Sequence, residues 1–351
     1  MIDISFPGGY QILPYFRCPM NLRIALIASS ILLLFASFAH ADLRRAISVE
    51  ECIEIRCEEL SLFPYNSDNV GQIERLTWLV ALDLSSTEVT DLSGLDALQE
   101  LRTLMISYTD MENIDVVARL LKLEKLSIAG TKITSFEALS GHPELKEIYA
   151  PDVNVSDLAP LATLPKLEQI LMSNAELSDL SPLAEVSSLR SLYFMPSTIS
   201  DLSPLSNLPN LRSLNIYSPH LTDLTALSST RALESLSLRC GEVVDINPLD
   251  GLPNLRRLDL TSTKLSKLKD GFNLPSLEVA MLSGTQISSL EFLEGSDDLW
   301  YIDISKNALV EFQSFPRFKN LKQVVLDKEV AKASREHITK LEKKGIEFTN
   351  P

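Results

Sequence analysis

The chain has 351 residues, 45% hydrophobic and 23% charged, with 47 acidic against 32 basic side chains and a formal net charge of −15. Its apolar content is ample for a large core. Its acidity excludes two modes of attachment, because both nucleic-acid phosphates and anionic lipid require an excess of Lys and Arg.

The first feature in chain order is an export signal. Asn21-Leu22-Arg23 makes a short basic start, Ile24 to Phe38 is almost wholly apolar, and Ala39-His40-Ala41 places small residues where a signal peptidase reads, with Asp42 next. Secretory signal peptides have this layout. Residues 1–19 are therefore expected to be an upstream stretch ahead of a true start at Met20, and residues 20–41 the signal. Cleavage after Ala41 would deliver a secreted or periplasmic chain. The apolar run is short for a spanning helix, and an uncleaved anchor is the alternative. No cysteine stands directly after the run, at the cleavage site, which speaks against a lipid anchor, and no second long apolar stretch follows.

Residues 42–56 are expected to form an N-terminal cap. Ser48-Val49-Glu50-Glu51 has the spacing of a capping box opening a short helix. In an exported protein Cys52 and Cys57 are candidates for a disulfide. Five residues apart within one helix they would point to different sides, so the bond requires the helix to end before Cys57. Cys240 lies eight repeats further on, ~40 Å at the spacing of sheet strands, and is expected to stay a lone thiol.

A repeat occupies the rest. From Leu79 through Leu101 and Leu123 to Leu321, the chain follows L-x-x-L-x-L-x-x-T-x-I-x-D-L-S-P-L-x-x-L-P-x with a spacing of 22 and no insertion. One unit back falls on Cys57, which gives twelve units over 57–320 and a final strand at 321–326. In Leu211 to Ile216, Leu214 and Ile216 alternate with polar neighbours, the period of a half-buried strand. In Asp201-Leu202-Ser203-Pro204-Leu205 a turn leads into a short helical piece. Ser203 is expected to cap it, with Pro204 at a position whose missing N–H costs nothing. Such a piece is expected to be 3₁₀. One coil cannot bury its leucines alone; stacked coils pair their strands in parallel and merge the leucines into one core. The expected fold is an α/β solenoid, a leucine-rich-repeat horseshoe with a concave parallel sheet and short 3₁₀ or helical turns on the convex side.

The pattern resembles the 22-residue leucine-rich repeats of bacterial internalins and of regulatory phosphatase subunits of the SDS-suppressor type. The ninth place, commonly Asn in those families, is Thr87, Thr109, Thr131, Thr263 and Thr285 here, with Asn at Asn307. A threonine hydroxyl still bonds the turn backbone. With no sorting signal and no immunoglobulin-like segment after the repeats, surface attachment of the internalin kind is not expected. Residues 327–351 are expected to form a helical C-terminal cap: Val330, Ala333, Ile338 and Leu341 make one helical face, Gly345 stops it, and Ile346-Glu347-Phe348 adds a short strand.

No arrangement carries chemistry. His142, His220 and His337 are scattered without metal spacing, and no G-x-S-x-G or nucleotide-binding glycine loop occurs. No enzyme activity, cofactor or metal is expected. Asp91, Asp157, Asp179, Asp201, Asp223 and Asp245 form a column, expected to build turns rather than hold calcium, since the extra Gly and Asp residues of calcium-binding repeats are missing. Asn154-Val155-Ser156 matches a glycosylation sequon, as chance allows in a Ser-rich chain.

The concave positions are different. The middle exposed place of successive strands is Met105, Ser127, Tyr149, Leu171 and Tyr193, flanked by Tyr108, Met195 and Tyr217. Aromatic and methionine side chains on a water-facing sheet mark an interaction surface. A second group, Trp300 and Tyr301, sits near the C-terminal end beside Arg256 and Arg257. The function expected is a non-enzymatic scaffold that binds a protein partner through the first patch, with Arg102, Lys146, Glu168, Arg190 and Arg212 as rim charges. The alternatives are a glycan or peptidoglycan binder, in which the tyrosines stack on sugar rings, and an intracellular phosphatase regulator by resemblance.

Overall fold

The computed structural model describes residues 44–62, 72–173, 176–239, 241–266, 268–307 and 318–350. The expected upstream stretch, the signal and Cys240 lie outside the described residues. Described from Arg44 onward, the chain forms one fifteen-stranded sheet in strict sequence order, each strand parallel to the next. The first five strands are β1 (Arg45–Ala46), β2 (Glu59–Ser61), β3 (Ala81–Asp83), β4 (Thr103–Met105) and β5 (Lys125–Ser127). The next five are β6 (Glu147–Pro151), β7 (Gln169–Ser173), β8 (Ser191–Phe194), β9 (Ser213–Tyr217) and β10 (Ser235–Arg239). The last are β11 (Arg257–Asp259), β12 (Val279–Met281), β13 (Tyr301–Asp303), β14 (Gln323–Val325) and β15 (Glu347–Thr349). Between β2 and β14 a strand residue faces the residue 22 positions later, as in Leu60 against Leu82 and Leu236 against Leu258. Equal coil length is what keeps every leucine beneath the next.

Within each strand the apolar alternation decides the faces: Leu214 and Ile216 are buried, while Ser213, Asn215 and Tyr217 are half-buried on the other side. The opposite side of the coil is made of 3₁₀ pieces such as Ser203–Leu205. Their cap differs from expectation. Asp201 Oδ1 accepts the Ser203 backbone N–H at 2.7 Å, while the Ser203 hydroxyl donates to Asp201 Oδ2 at 2.9 Å. The same aspartate turn recurs at Asp91, Asp157, Asp179, Asp223 and Asp245, at 2.7 to 2.8 Å. The carboxylate reaches the free amide because it stands two residues before it; the serine is already inside the turn. The aspartate column is thereby consumed by the fold.

The ninth-place threonines close the other turn. Thr87, Thr109, Thr131, Thr263 and Thr285 each donate their hydroxyl to the carbonyl three residues back, at 2.6 to 3.0 Å. Asn307 reaches both the Ile304 carbonyl of its own coil and the Leu282 carbonyl of the coil before. In these units the eighth residue takes a left-handed conformation, from Ser86 (φ 56°) to Lys306 (φ 59°).

Both ends are covered. At the N-terminal end α1 (Val49–Ile55) starts as a capping box in which Ser48 Oγ accepts the Glu51 N–H. The Glu51 carboxylate accepts from Ile47 rather than from Ser48 itself. Arg56 turns left-handed (φ 51°) and ends the helix, and Cys52 and Cys57 form a disulfide across a Cα separation of 4.6 Å. The Trp78 indole N–H donates to the Cys57 carbonyl at 2.7 Å and tucks the cap onto the next coil. At the C-terminal end the expected single helix is two, α2 (Lys328–Ala333) and α3 (Arg335–Glu342). Ser334 (φ −110°, ψ 20°) leaves the helical region between them, so Ala333 turns outward while Ile338 and Leu341 bury. β15 then extends the sheet against β14.

One column of the core admits buried polar residues, at His142, Thr230 and Ser296, and His142 is the titratable one. His142 occupies the place that is Leu98, Leu120 and Leu164 in neighbouring units and is 3% exposed. Its Nε2 lies 3.0 Å from the Leu120 carbonyl, an acceptor only, so Nε2 carries the hydrogen and Nδ1 is the bare nitrogen, without a partner among the described residues. Burial holds this imidazole below the ordinary histidine range, opposed by its bond to Leu120 and by Glu144. The unfolded chain therefore binds the proton more readily than the native one, and stability falls as pH drops below about 6.5. Chemical denaturation from neutral pH to about pH 5 should show a loss of stability that His142→Leu largely removes. The leucine variant should also be the more stable at neutral pH, by about 1 kcal/mol or more, because an unpaired buried nitrogen is gone.

Candidate partner-binding surface

On the concave face the first, third and fifth residues of each strand project. After β4, β5, β12 and β13 the fifth place is a small buried residue already entering the turn: Ser107, Ala129, Ser283 and Ser305. From β6 to β10 the strands instead run for four or five residues. Their ninth places are Val153, Ser197, Pro219 and Gly241 where described, and the Thr-type closure is lost. Ser197 Oγ bonds forward to the Tyr217 carbonyl at 3.3 Å instead of back. The sheet is thus longest along its strands where the aromatic residues stand.

The ladder sets Tyr149, Leu171 and Tyr193 side by side on β6, β7 and β8. Met195 follows β8, and Tyr217 closes β9 opposite Arg239 of β10. Met105 on β4 is separated from Tyr149 by Ser127, which is buried. Tyr108 stands in the turn after β4 and is 59% exposed, the most open aromatic of the group. The others lie half-sunk in the sheet. Burial pushes the Tyr149 hydroxyl up to about 12, reinforced by Tyr108, Asp152 and Tyr193. Burial also raises Tyr217, raises Tyr193 against the opposing charge of Arg239, and raises Tyr108 together with Asp152. These phenols stay neutral and present ring faces with polar tips. Trp300 and Tyr301 are not brought into this group: they stack edge to face, 5.7 Å apart, at β13.

Charge is paired off around the patch. Glu124 lies between Arg102 and Lys146, bonding both, with Lys146 at 2.6 Å. Arg190 pairs with Glu168 at 3.2 Å and Arg212 with Glu234 at 2.8 Å. The rim charges are thus a ladder of ion pairs linking adjacent coils. Burial works against ionisation of Glu124, but Lys146 and Arg102 outweigh it and hold the carboxyl below its ordinary range. On the face itself, Arg239 sends both Nε and Nη2 to Asp259 Oδ2, the first at 2.7 Å. Asp259 is 1% exposed and also accepts from Ser237 Oγ and the Thr261 N–H. The sequence carries a signal for this pair only once the extended strands are recognised, since Arg239 reaches the face through the fifth strand residue.

Among the described residues no group of three or more His, Cys, Asp or Glu side chains is placed to hold a metal ion. No described helix is long and apolar enough to cross a membrane. No family model and no curated protein matches the chain. Solved structures do. Internalin C2 of Listeria monocytogenes is 30% identical, with a TM-score of 0.50, covering 52% of this chain and 80% of that one. An internalin of the same organism, inlF, is 25% identical with a TM-score of 0.59, covering 72% and 82%. The chain is a leucine-rich-repeat protein of the 22-residue internalin-like class. A leucine-rich-repeat protein of Leptospira interrogans shares the fold at 16% identity, with a TM-score of 0.64, covering 83% of this chain and 89% of that one.

For this leucine-rich-repeat protein the Arg239–Asp259 pair gives a direct test of the face. Asp259→Ala leaves a mostly buried guanidinium without its counter-charge and should cost about 3 kcal/mol in denaturant unfolding. Unchanged stability would mean that solvent, not Asp259, satisfies Arg239.

Proposed function

We propose that the chain is an exported, non-enzymatic scaffold that binds a protein partner on the concave face of its sheet. The observation that carries this reading is the row Tyr149, Leu171 and Tyr193 with Met195 and Tyr217, set on or next to the strands of four or five residues. Rigid aromatic side chains lose little entropy when covered and bury a large area each, which is why they anchor interfaces. The ion-pair ladder beside them fixes the coils against one another, so the surface is held ready rather than assembled on contact. The internalins and other leucine-rich-repeat neighbours support a binding scaffold. The double variant Tyr149→Ala, Tyr193→Ala should fold with an unchanged circular dichroism spectrum and lose capture of a protein partner. Retained capture would place the interface elsewhere, with Trp300 and Tyr301 the next surface to alter.

A glycan is the second reading, favoured by Asn215 and Ser213, which put an amide and a hydroxyl 3.4 Å apart beside Tyr193. Saturable binding to isolated peptidoglycan or polysaccharide, lost in the same double variant, would select it. Export is supported by the signal-like segment ending at Ala41 and by the Cys52–Cys57 disulfide, a bond that persists in oxidising compartments. Fractionation followed by intact mass should find a chain beginning at Asp42, lighter by two hydrogens than its reduced form, outside the cytoplasm. An unprocessed chain in the cytoplasm would overturn export and restore the phosphatase-regulator alternative.

A further inference from the structure

The turn after β6 holds one charge that the paired network does not absorb. Asp152 is exposed and left-handed (φ 55°), its backbone N–H bonded to the Ser173 carbonyl at 3.1 Å. Its carboxylate touches the Ser173 hydroxyl at 3.4 Å, and no cation pairs with it among the described residues. The cations of its own and the two preceding coils are engaged: Lys125 by Glu147 at 3.1 Å, Lys146 by Glu124 and Lys132 by Asp110 at 2.8 Å. The uncompensated charge at this rim is therefore negative, in a chain whose net charge is −15.

Two aromatic rings stand beside that charge. Tyr108 occupies the same turn position two coils earlier, also left-handed (φ 57°). The coil between them has Gly130 there, and a Cβ on that glycine would lie 2.6 Å from Tyr108 Cδ1. The Tyr108 ring is thus laid over the Gly130 backbone, in the gap toward the coil of Asp152. Tyr149 precedes Asp152 by three residues on β6. The carboxylate acts on both phenols, raising Tyr108 and Tyr149 after the larger effect of burial. A carboxylate beside aromatic faces suits an organic cation: the charge attracts it through space and the rings hold it through their negative faces.

We infer that Tyr108, Tyr149 and Asp152 form a receptor for a lysine or arginine side chain of the protein that docks on the concave face. The inference rests on the concave-face reading above and adds the chemistry of one contact. A partner with a basic residue at its interface edge gains both the Coulomb term and the ring contact, and an acidic one is repelled.

The test uses the purified protein and peptides selected on it from a random twelve-residue library. The tightest binder is resynthesised with each Arg replaced by citrulline and each Lys by norleucine. Neutralising one cation should weaken binding about tenfold on the unaltered protein, but no more than about twofold on Asp152→Asn, because the two changes remove the same interaction. Asn keeps the size and accepts the left-handed backbone; Asp152→Gly serves as the second variant. Peptides lost on Tyr193→Ala but indifferent to neutralisation, or a selection that enriches no cationic peptide, would overturn the receptor and leave the concave face standing. Peptides held equally by Tyr193→Ala, by the Tyr149→Ala, Tyr193→Ala double variant and by the unaltered protein would refute the concave face, and the receptor with it.

Discussion

The parallel ladder between coils of equal length is the constraint on which everything else depends. Each coil closes in 22 residues, so Leu60, Leu82, Leu104 and their successors stack without drift from β2 to β14. Stacking alone satisfies both the backbone of a strand and the leucines beneath it, since a lone coil would leave both to water. A residue that repeats at one place becomes a column, and a column of like charges would repel itself along the whole molecule. The sequence avoids this by pairing: Arg102, Glu124 and Lys146 alternate across three coils, and the successive Arg190 and Arg212 turn to Glu168 and Glu234 on their outer sides. The aspartate column avoids it differently, each carboxylate turning back to its own coil as in Asp201 to Ser203.

The same periodicity exposes where the pattern is relaxed. Units with threonine at the ninth place turn early, through a left-handed residue and a side-chain bond such as Thr263 to Leu260. Between β6 and β10 that bond is missing, and the strand continues until Ser173, Tyr217 or Arg239 stands on the face. Relaxation and aromatic content coincide. Core packing does not demand the coincidence, because the inward place of the strand is filled equally well in both classes of unit: Ile170 and Leu258 are both fully covered. A longer strand adds a further column to the concave face, and that added area is where Tyr217 and Arg239 sit.

Much of this was legible in the sequence. A strict period of 22, apolar alternation and the proline of Asp201-Leu202-Ser203-Pro204-Leu205 specify a solenoid with 3₁₀ turns because each is a local rule repeated many times. The tyrosine row was legible for the same reason: once the register is known, Tyr149, Leu171 and Tyr193 must be neighbours. What escaped was non-periodic. Ser203 looked like the cap because serine commonly caps, yet the aspartate two residues earlier has the longer reach. The C-terminal face looked continuous because helical spacing joins Val330 to Leu341, and nothing local in Ser334 marks the break. Nothing local to Asp152 sets it apart from other turn residues; its surroundings follow from Gly130 and Tyr108, which share its column.

A repeat protein meets a particular difficulty in acquiring a site at all. Repetition makes neighbouring coils interchangeable, so specificity has to come from departures that fall beside one another. A single departure is absorbed, as His142 is absorbed into a leucine column by one bond to Leu120. Departures in three adjacent coils cannot be absorbed separately: Tyr108 needs the empty place at Gly130, and Asp152 then faces a ring instead of a cation. The paired ladder supplies a neutral background on both sides, through Lys125 with Glu147 and Lys146 with Glu124. Against that background one exposed carboxylate beside Tyr108 and Tyr149 decides the sign of the charge this surface selects.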